Sequence, residues 1–172
     1  FEILNFEENF VYLASHGAKH CWSILEWLND LNFGFSRLSK ESIIRIAEKA
    51  EKTGRRNIVL QMFMLLYIIY DREIPEFLLK YEKEMKKMVP ALNYAVGFIA
   101  LGKNEIKDSF NESQKITLNK IVYFISLADS IKGKSNVFKK IFFNPRAEDI
   151  KIVRLYKNFF YLYYLIRPFG YI

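Results

Sequence analysis

Two histidines and one cysteine are the side chains of this sequence best suited to metal binding or to proton transfer near neutral pH. His16 and His20 are four residues apart, so on a helix the two imidazoles would share one face, and Cys21 follows directly. The sequence contains no other histidine or cysteine to complete a zinc site. The glutamate of a zinc-protease motif is also missing, because Gly17 follows His16. We therefore predict no metal site and no cofactor.

Other catalytic patterns have little support in the sequence. Cys21 falls with Ile24, Leu25 and Leu28 at the spacing of one apolar helical face, which predicts a buried structural cysteine. The seven glycines are scattered, so they form no glycine-rich phosphate loop. These observations favour a binding protein over an enzyme.

A basic turn precedes the most apolar segment of the chain. Gly54, Arg55 and Arg56 lie where an apolar helix is predicted to begin, and that helix extends to Asp71. Backbone N–H groups and the helix dipole attract anions at such a position, and guanidinium groups add hydrogen bonds. We predict that Arg55 and Arg56 contact phosphate, with a plain surface turn as the alternative.

The segment from Lys132 to Ile172 is both basic and aromatic. It carries nine basic and two acidic side chains, a surplus equal to the formal net charge of +7 for the whole chain. Cations that follow phosphates and rings that stack on bases are the chemistry of single-strand binding. The alternative is that the rings belong to the core and the cations to its solvated side. Five residues at helical spacing form the predicted nucleic-acid contact, namely Lys151, Arg154, Lys157, Asn158 and Tyr161.

The turn and capping residues predict helices throughout the chain. Asn5 caps a first short helix that ends near residues 15–17. A second helix covers about residues 18–31, before a turn at residues 32–35. Ser39 caps a third helix, which Gly54 ends. The fold class is all-α, a compact multi-helix bundle of about seven or eight helices. We expect one helical domain, 1–172, whose basic aromatic C-terminal region 132–172 ends in a long helix.

The remaining features concern location and processing. The longest apolar run, Ile58–Tyr70, is interrupted only by Gln61. It would span about 20 Å as a helix, less than the roughly 30 Å of a bilayer core, so no transmembrane segment is predicted. A single cysteine forms no intramolecular disulfide, and we expect an intracellular, cytoplasmic protein. The sequence begins with Phe1 and not with methionine, which suggests a processed chain or a piece of a longer one.

Two resemblances to known families can be stated. The segment Gly54-Arg55-Arg56-Asn57 followed by an apolar helix resembles a segment in the helical domains of archaeal and phage primases. The size, helical pattern and basic tail are similar to those of the small helical subunits of CRISPR effector complexes, which line nucleic acid without catalysing a reaction. The first resemblance covers one short segment and the second is of type alone, so neither assigns a role to a residue.

The predicted function is that of a non-catalytic nucleic-acid-binding or accessory subunit of a nucleoprotein complex. It would contact the phosphate backbone of DNA or RNA through a basic helical face. One alternative is a protein–protein interaction module that docks through its aromatic C-terminal helix. A second alternative is a peripheral binder of anionic membranes, and a third is a helical enzyme that uses His16, His20 and Cys21.

Overall fold

A computed structural model describes residues 5–105 and 113–142 together with residue 162. In these residues the chain forms eight α-helices, a 3-10 helix at Glu76–Tyr81 and no strand, which confirms the predicted all-α bundle. None of the described helices is long and apolar enough to cross a membrane. The α-helices are α1 Phe6–Lys19, α2 Leu25–Phe35, α3 Lys40–Lys52, α4 Arg56–Tyr70, α5 Glu82–Lys87, α6 Val89–Glu105, α7 Ser113–Leu127 and α8 Ile131–Phe142.

Helix α4 is the centre of the bundle. It packs against α1, α2, α3, α5, α6 and α7, as expected for a helix that is apolar on most of its circumference. Gly54, at φ 66°, adopts the left-handed conformation that ends α3 and turns the chain into α4. The buried apolar residues of α4 are Val59, Leu60, Met62, Phe63, Leu65 and Leu66.

The predicted caps of α1 and α3 are confirmed. The Asn5 side chain accepts a hydrogen bond from the Glu8 N–H at 2.8 Å, and Glu8 accepts one from the Asn5 N–H, which is a complete capping box. Ser39 accepts a hydrogen bond from the Ser42 N–H at 3.2 Å. Glu7 pairs with Arg45 at 2.8 Å, so the N-terminal turn of α1 is attached to α3.

The boundary between α1 and α2 differs from the prediction. Helix α1 continues past Gly17 to Lys19, and α2 begins only at Leu25, so the predicted helix over residues 18–31 is wrong at its start. Cys21 and Trp22 have φ values of 54° and 59°, which lie in the left-handed region and cannot occur within a right-handed helix. The reversal places the Trp22 ring against α1, where a Cβ atom on Gly17 would lie 2.4 Å from it. Tertiary packing therefore outweighs the local helical pattern.

One other boundary also differs from the prediction. Helix α2 continues through the predicted turn at residues 32–35, where the Phe10 ring lies 3.2 Å from the position of a Cβ atom on Gly34. Helix α6 extends past Gly102. Helix α8 begins at Ile131, because the Ser130 hydroxyl accepts a hydrogen bond from the Gly133 N–H at 3.0 Å and so caps a helix that includes a glycine.

Gln61 organises a set of hydrogen bonds inside the core, here called the Gln61 network. Its side-chain oxygen accepts a hydrogen bond from Trp22 Nε1 at 3.0 Å and lies 3.1 Å from the Tyr123 hydroxyl, which is also 3.0 Å from the Ala18 carbonyl. Its amide nitrogen donates to the Ala91 carbonyl at 3.2 Å. The network therefore ties α4 to α1, α6 and α7 and satisfies the polar atoms of two large buried rings.

Candidate functional site

The outward side of α1 carries a row of aromatic side chains. Phe10, Val11, Ala14 and Ala18 point into the core, which turns the other side of the helix to solvent. Tyr12, His16 and His20 follow one another at intervals of four residues on that other side. The Tyr12 and His16 ring centroids are 6.2 Å apart, and those of His16 and His20 are 5.0 Å apart. The three rings therefore form one continuous row.

Trp27 from α2 packs against the two imidazoles. Its ring lies edge-on to His16 at 4.7 Å and tilted against His20 at 5.2 Å. Trp27 is only half-buried, whereas Trp22 is completely buried. The left-handed turn at residues 21–22 separates the two tryptophans, because it directs one into the core and leaves the other at the surface. Tyr12 and His20 are exposed, and His16 and Trp27 are half-buried.

Two lysines flank this aromatic surface. Lys19 lies in the last turn of α1, and Lys120 of α7 is close enough for its charge to act on His20. Both lysines are exposed, and neither forms an ion pair with any residue that the structure describes. We define the basic aromatic face as Tyr12, His16, Lys19, His20, Trp27 and Lys120.

The charges of this face act on His20. The pKa of His20 lies below its ordinary value of 6.5, first because the imidazole loses some of its hydration to its neighbours. The positive charges of His16, Lys19 and Lys120 lower that pKa further. Lys19 and Lys120 are thus positive charges close to His20, and they would attract an anion that binds there.

Arg55, the first predicted phosphate contact, lies beside the same face. Its side chain is exposed and lines a shallow cleft with Tyr12, Glu8 and Lys49. Glu8 and Lys49 form an ion pair with each other. Arg55 and Tyr12 are therefore the side chains of this cleft that are available to contact a ligand. Arg55 therefore extends the basic aromatic face beyond Tyr12.

Arg56, the second predicted phosphate contact, has mostly internal partners. Its guanidinium group lies 3.6 Å from the Glu51 carboxylate and 5.3 Å from the centroid of the Tyr81 ring. The N-terminus of α4 is also filled, because the Asp129 carboxylate accepts the N–H groups of Arg56 at 2.7 Å and of Asn57 at 2.8 Å. An internal carboxylate thus occupies the position where the sequence suggested an anion.

The five other predicted contacts, Lys151, Arg154, Lys157, Asn158 and Tyr161, lie outside the described residues. Their role in nucleic-acid binding stays a prediction. The aromatic C-terminal helix of the protein-interaction alternative lies in the same part of the chain and likewise stays a prediction.

The histidine–cysteine cluster does not assemble as a metal site in the described residues. No group of three or more histidine, cysteine, aspartate or glutamate side chains is placed there to hold an ion. Cys21 is buried, and burial raises the pKa of its thiol from 9.0 to about 11. The thiol therefore stays protonated at neutral pH, which suits a structural residue and not a nucleophile. The Ser15 hydroxyl, one residue before His16, donates to the Val11 carbonyl at 2.7 Å.

Comparisons with protein-family models, with curated proteins and with solved structures found no match for this chain.

The basic aromatic face was only partly visible in the sequence. The interval of four between His16 and His20 is evident in the sequence, and continuing it backwards leads to Tyr12. Trp27 and Lys120 join the face through the α1–α2 reversal and through the packing of α7. Neither contact has a local signal in the sequence.

Proposed function

We propose that this protein binds single-stranded nucleic acid on the basic aromatic face, as a binding or accessory subunit and not as a catalyst. The observation that carries the proposal is the surface row Tyr12–His16–His20, in which Tyr12 and His20 are exposed, with Trp27 beside it. The lysines at its edge have no ion-pair partner among the described residues. Bases stack on such rings whatever their sequence, and cations such as Lys19 and Lys120 contact the phosphates between them.

The overall charge supports the same class of partner. A formal net charge of +7 attracts a polyanion over distances that individual side chains do not reach. Arg55 adds a guanidinium group next to Tyr12, so phosphate contacts are available at both ends of the row. The five predicted contacts in region 132–172 would extend this binding surface if they lie on the same side of the molecule as the basic aromatic face.

The direct test is fluorescence anisotropy with labelled single-stranded DNA and RNA of about 12 nucleotides at several salt concentrations. Three phosphate contacts predict that log affinity falls with log salt at a slope of about −2. Lys19→Glu with Lys120→Glu reverses two charges of the face and is expected to weaken binding at least about 30-fold. Retention of wild-type affinity by that double variant would contradict the proposed location.

Matched controls separate the face from general charge. Lys83→Glu with Lys87→Glu makes the same charge change on exposed residues of α5 and is expected to weaken binding only a few-fold. Arg154→Glu with Lys157→Glu tests the contacts predicted in region 132–172. If only that variant loses binding, those C-terminal residues are the interface. Absence of any salt-dependent binding to DNA or RNA would exclude the function itself.

A further inference from the structure

A second concave feature adjoins the basic aromatic face. A cavity of about 290 Å³ lies between the end of α1, the start of α4 and the α7–α8 turn, and we call it the α7–α8 cavity. Lys19 lines the cavity and also belongs to the basic aromatic face. The other lining residues used below are Ser15, Ile58, Phe124, Leu127, Asp129, Ser130 and Val137.

The size of the α7–α8 cavity limits its occupant. Water takes roughly 30 Å³ per molecule, so about 290 Å³ holds on the order of ten waters or one small planar ring system. That volume is at the lower end for ligand pockets in general. A single nucleobase has a comparable number of non-hydrogen atoms. The cavity therefore has room for a single base.

The walls and the rim have different chemistry. Ile58, Phe124 and Leu127 supply apolar walls, and the faces of a base are apolar enough to pack on them. Ser15, Lys19, Asp129 and Ser130 supply the polar groups of the lining. An apolar slot with a few polar groups fixes the orientation of a planar ligand as well as its position.

Two of these polar groups have hydrogen-bonding capacity left. Asp129 accepts the N–H groups of Arg56 and Asn57, but a carboxylate offers about four acceptor positions. The Ser130 hydroxyl oxygen accepts from the Gly133 N–H at 3.0 Å, so its own O–H remains able to donate. The pair therefore offers one acceptor and one donor to a ligand.

We propose that the α7–α8 cavity receives one unstacked base that carries an exocyclic amino group, from a strand bound on the basic aromatic face. The inference rests on the proposed function and adds a base preference to it. The amino group of cytosine donates to the Asp129 carboxylate, and its ring nitrogen accepts from Ser130. Uracil presents a carbonyl oxygen at the position of that amino group, which the carboxylate repels. Lys19 contacts the phosphate of the inserted nucleotide.

The test compares two DNA 12-mers, oligo-dC and oligo-dU, which differ only in the edge that the cavity would read. Wild-type protein is expected to bind oligo-dC about tenfold more tightly, in line with one good two-point base contact. Asp129→Asn should reduce this ratio to about twofold or less, because the amide replaces one of the two acceptor oxygens with an NH2 donor. Tyr67→Ala, an exposed residue of α4 outside the cavity lining, should leave the ratio unchanged.

A second variant keeps the test decisive if Asp129→Asn does not fold. Val137→Phe fills the cavity from α8 and is expected to bring oligo-dC affinity down towards that of oligo-dU. Equal and salt-dependent binding of both oligonucleotides by the wild type would overturn the base cavity and leave the proposed function standing. Binding of neither would overturn both.

Discussion

Two aromatic clusters near the α1–α2 turn differ in burial and in the partners of their polar atoms. Trp22 and Tyr123 are completely buried, and the Gln61 network satisfies their polar atoms. Trp27 and His16 lie at the surface among cations without ion-pair partners in the described chain. Aromatic content alone does not distinguish a core from a binding surface. Burial and the partners of the polar atoms do distinguish them.

The largest effect is expected from Gln61→Leu in the buried cluster. This change leaves Trp22 Nε1 without a partner in the core, at about 1–3 kcal/mol, and removes the bond from the Gln61 amide to the Ala91 carbonyl, at about 1 kcal/mol. We expect the free energy of unfolding to fall by about 2–4 kcal/mol in urea titrations followed by circular dichroism. Tyr123→Phe, which leaves the Trp22–Gln61 bond intact, should cost only about 1 kcal/mol. Equal losses in the two variants would show that the network is not centred on Gln61.

The same glycine-to-alanine change is expected to have opposite signs at two helical positions. Gly17→Ala places a Cβ atom 2.4 Å from the immobile Trp22 ring, and overpacking of about 1–3 kcal/mol exceeds the gain in helix propensity. Gly97→Ala in α6 meets nothing within 4 Å and should stabilise the protein by up to about 1 kcal/mol. Thermal unfolding of both variants measures the difference. A stabilised Gly17→Ala variant would mean that the Trp22 ring is not tightly held.

Tyr12→Ala tests the exposed cluster. Loss of one stacked base is worth about 1–3 kcal/mol of binding, whereas removal of a half-exposed ring should change stability by about 0.5 kcal/mol or less. Tyr67 is the matched control, because its exposed fraction is 53% and that of Tyr12 is 52%. Anisotropy with the same oligonucleotide should show weaker binding for Tyr12→Ala alone. Equal weakening in both variants would argue against stacking on the basic aromatic face.

The smallest effect concerns the pH dependence that His20 contributes. Because the pKa of His20 in the folded chain lies below 6.5, folding disfavours the proton, and His20 should lower stability as pH falls below 6.5. Bound phosphate favours the proton, so oligonucleotide affinity should rise over the same range by no more than about fivefold, the scale of one exposed ion pair. His20→Gln should remove both contributions. Identical pH profiles of the variant and the wild type would contradict this role.

The parts of the fold that follow from local chemistry were predictable. Ser39, Gly54 and the apolar pattern of α4, which only Gln61 interrupts, each act through neighbouring residues, and each is found where the sequence indicated. The α1–α2 reversal was not predictable, because Cys21 fits a helical apolar pattern with Ile24 and Leu28. That pattern is broken because Trp22 donates a hydrogen bond to Gln61 of α4 and packs on Gly17 of α1.

The candidate site shows the same division. Arg55 was identified from its own neighbours and does lie at the surface. The anion expected beside it is supplied by Asp129, more than 70 residues further along the chain. Lys120 reaches His20 only because α7 packs against the rest of the bundle. Spacing in the sequence identifies the helical faces, whereas the grouping of those faces depends on the packing of the whole fold.

The carboxylate of Asp129 at the start of α4 has a consequence for hydrogen exchange. Amides in the first turn of a helix normally exchange quickly, because they lack acceptors within their own helix. Here the amides of residues 56 and 57 are bonded to a residue that follows α7. Their protection against exchange should therefore report whether the α7–α8 turn is docked on α4, and Asp129→Ala should remove it while the amides deeper in α4 stay slow.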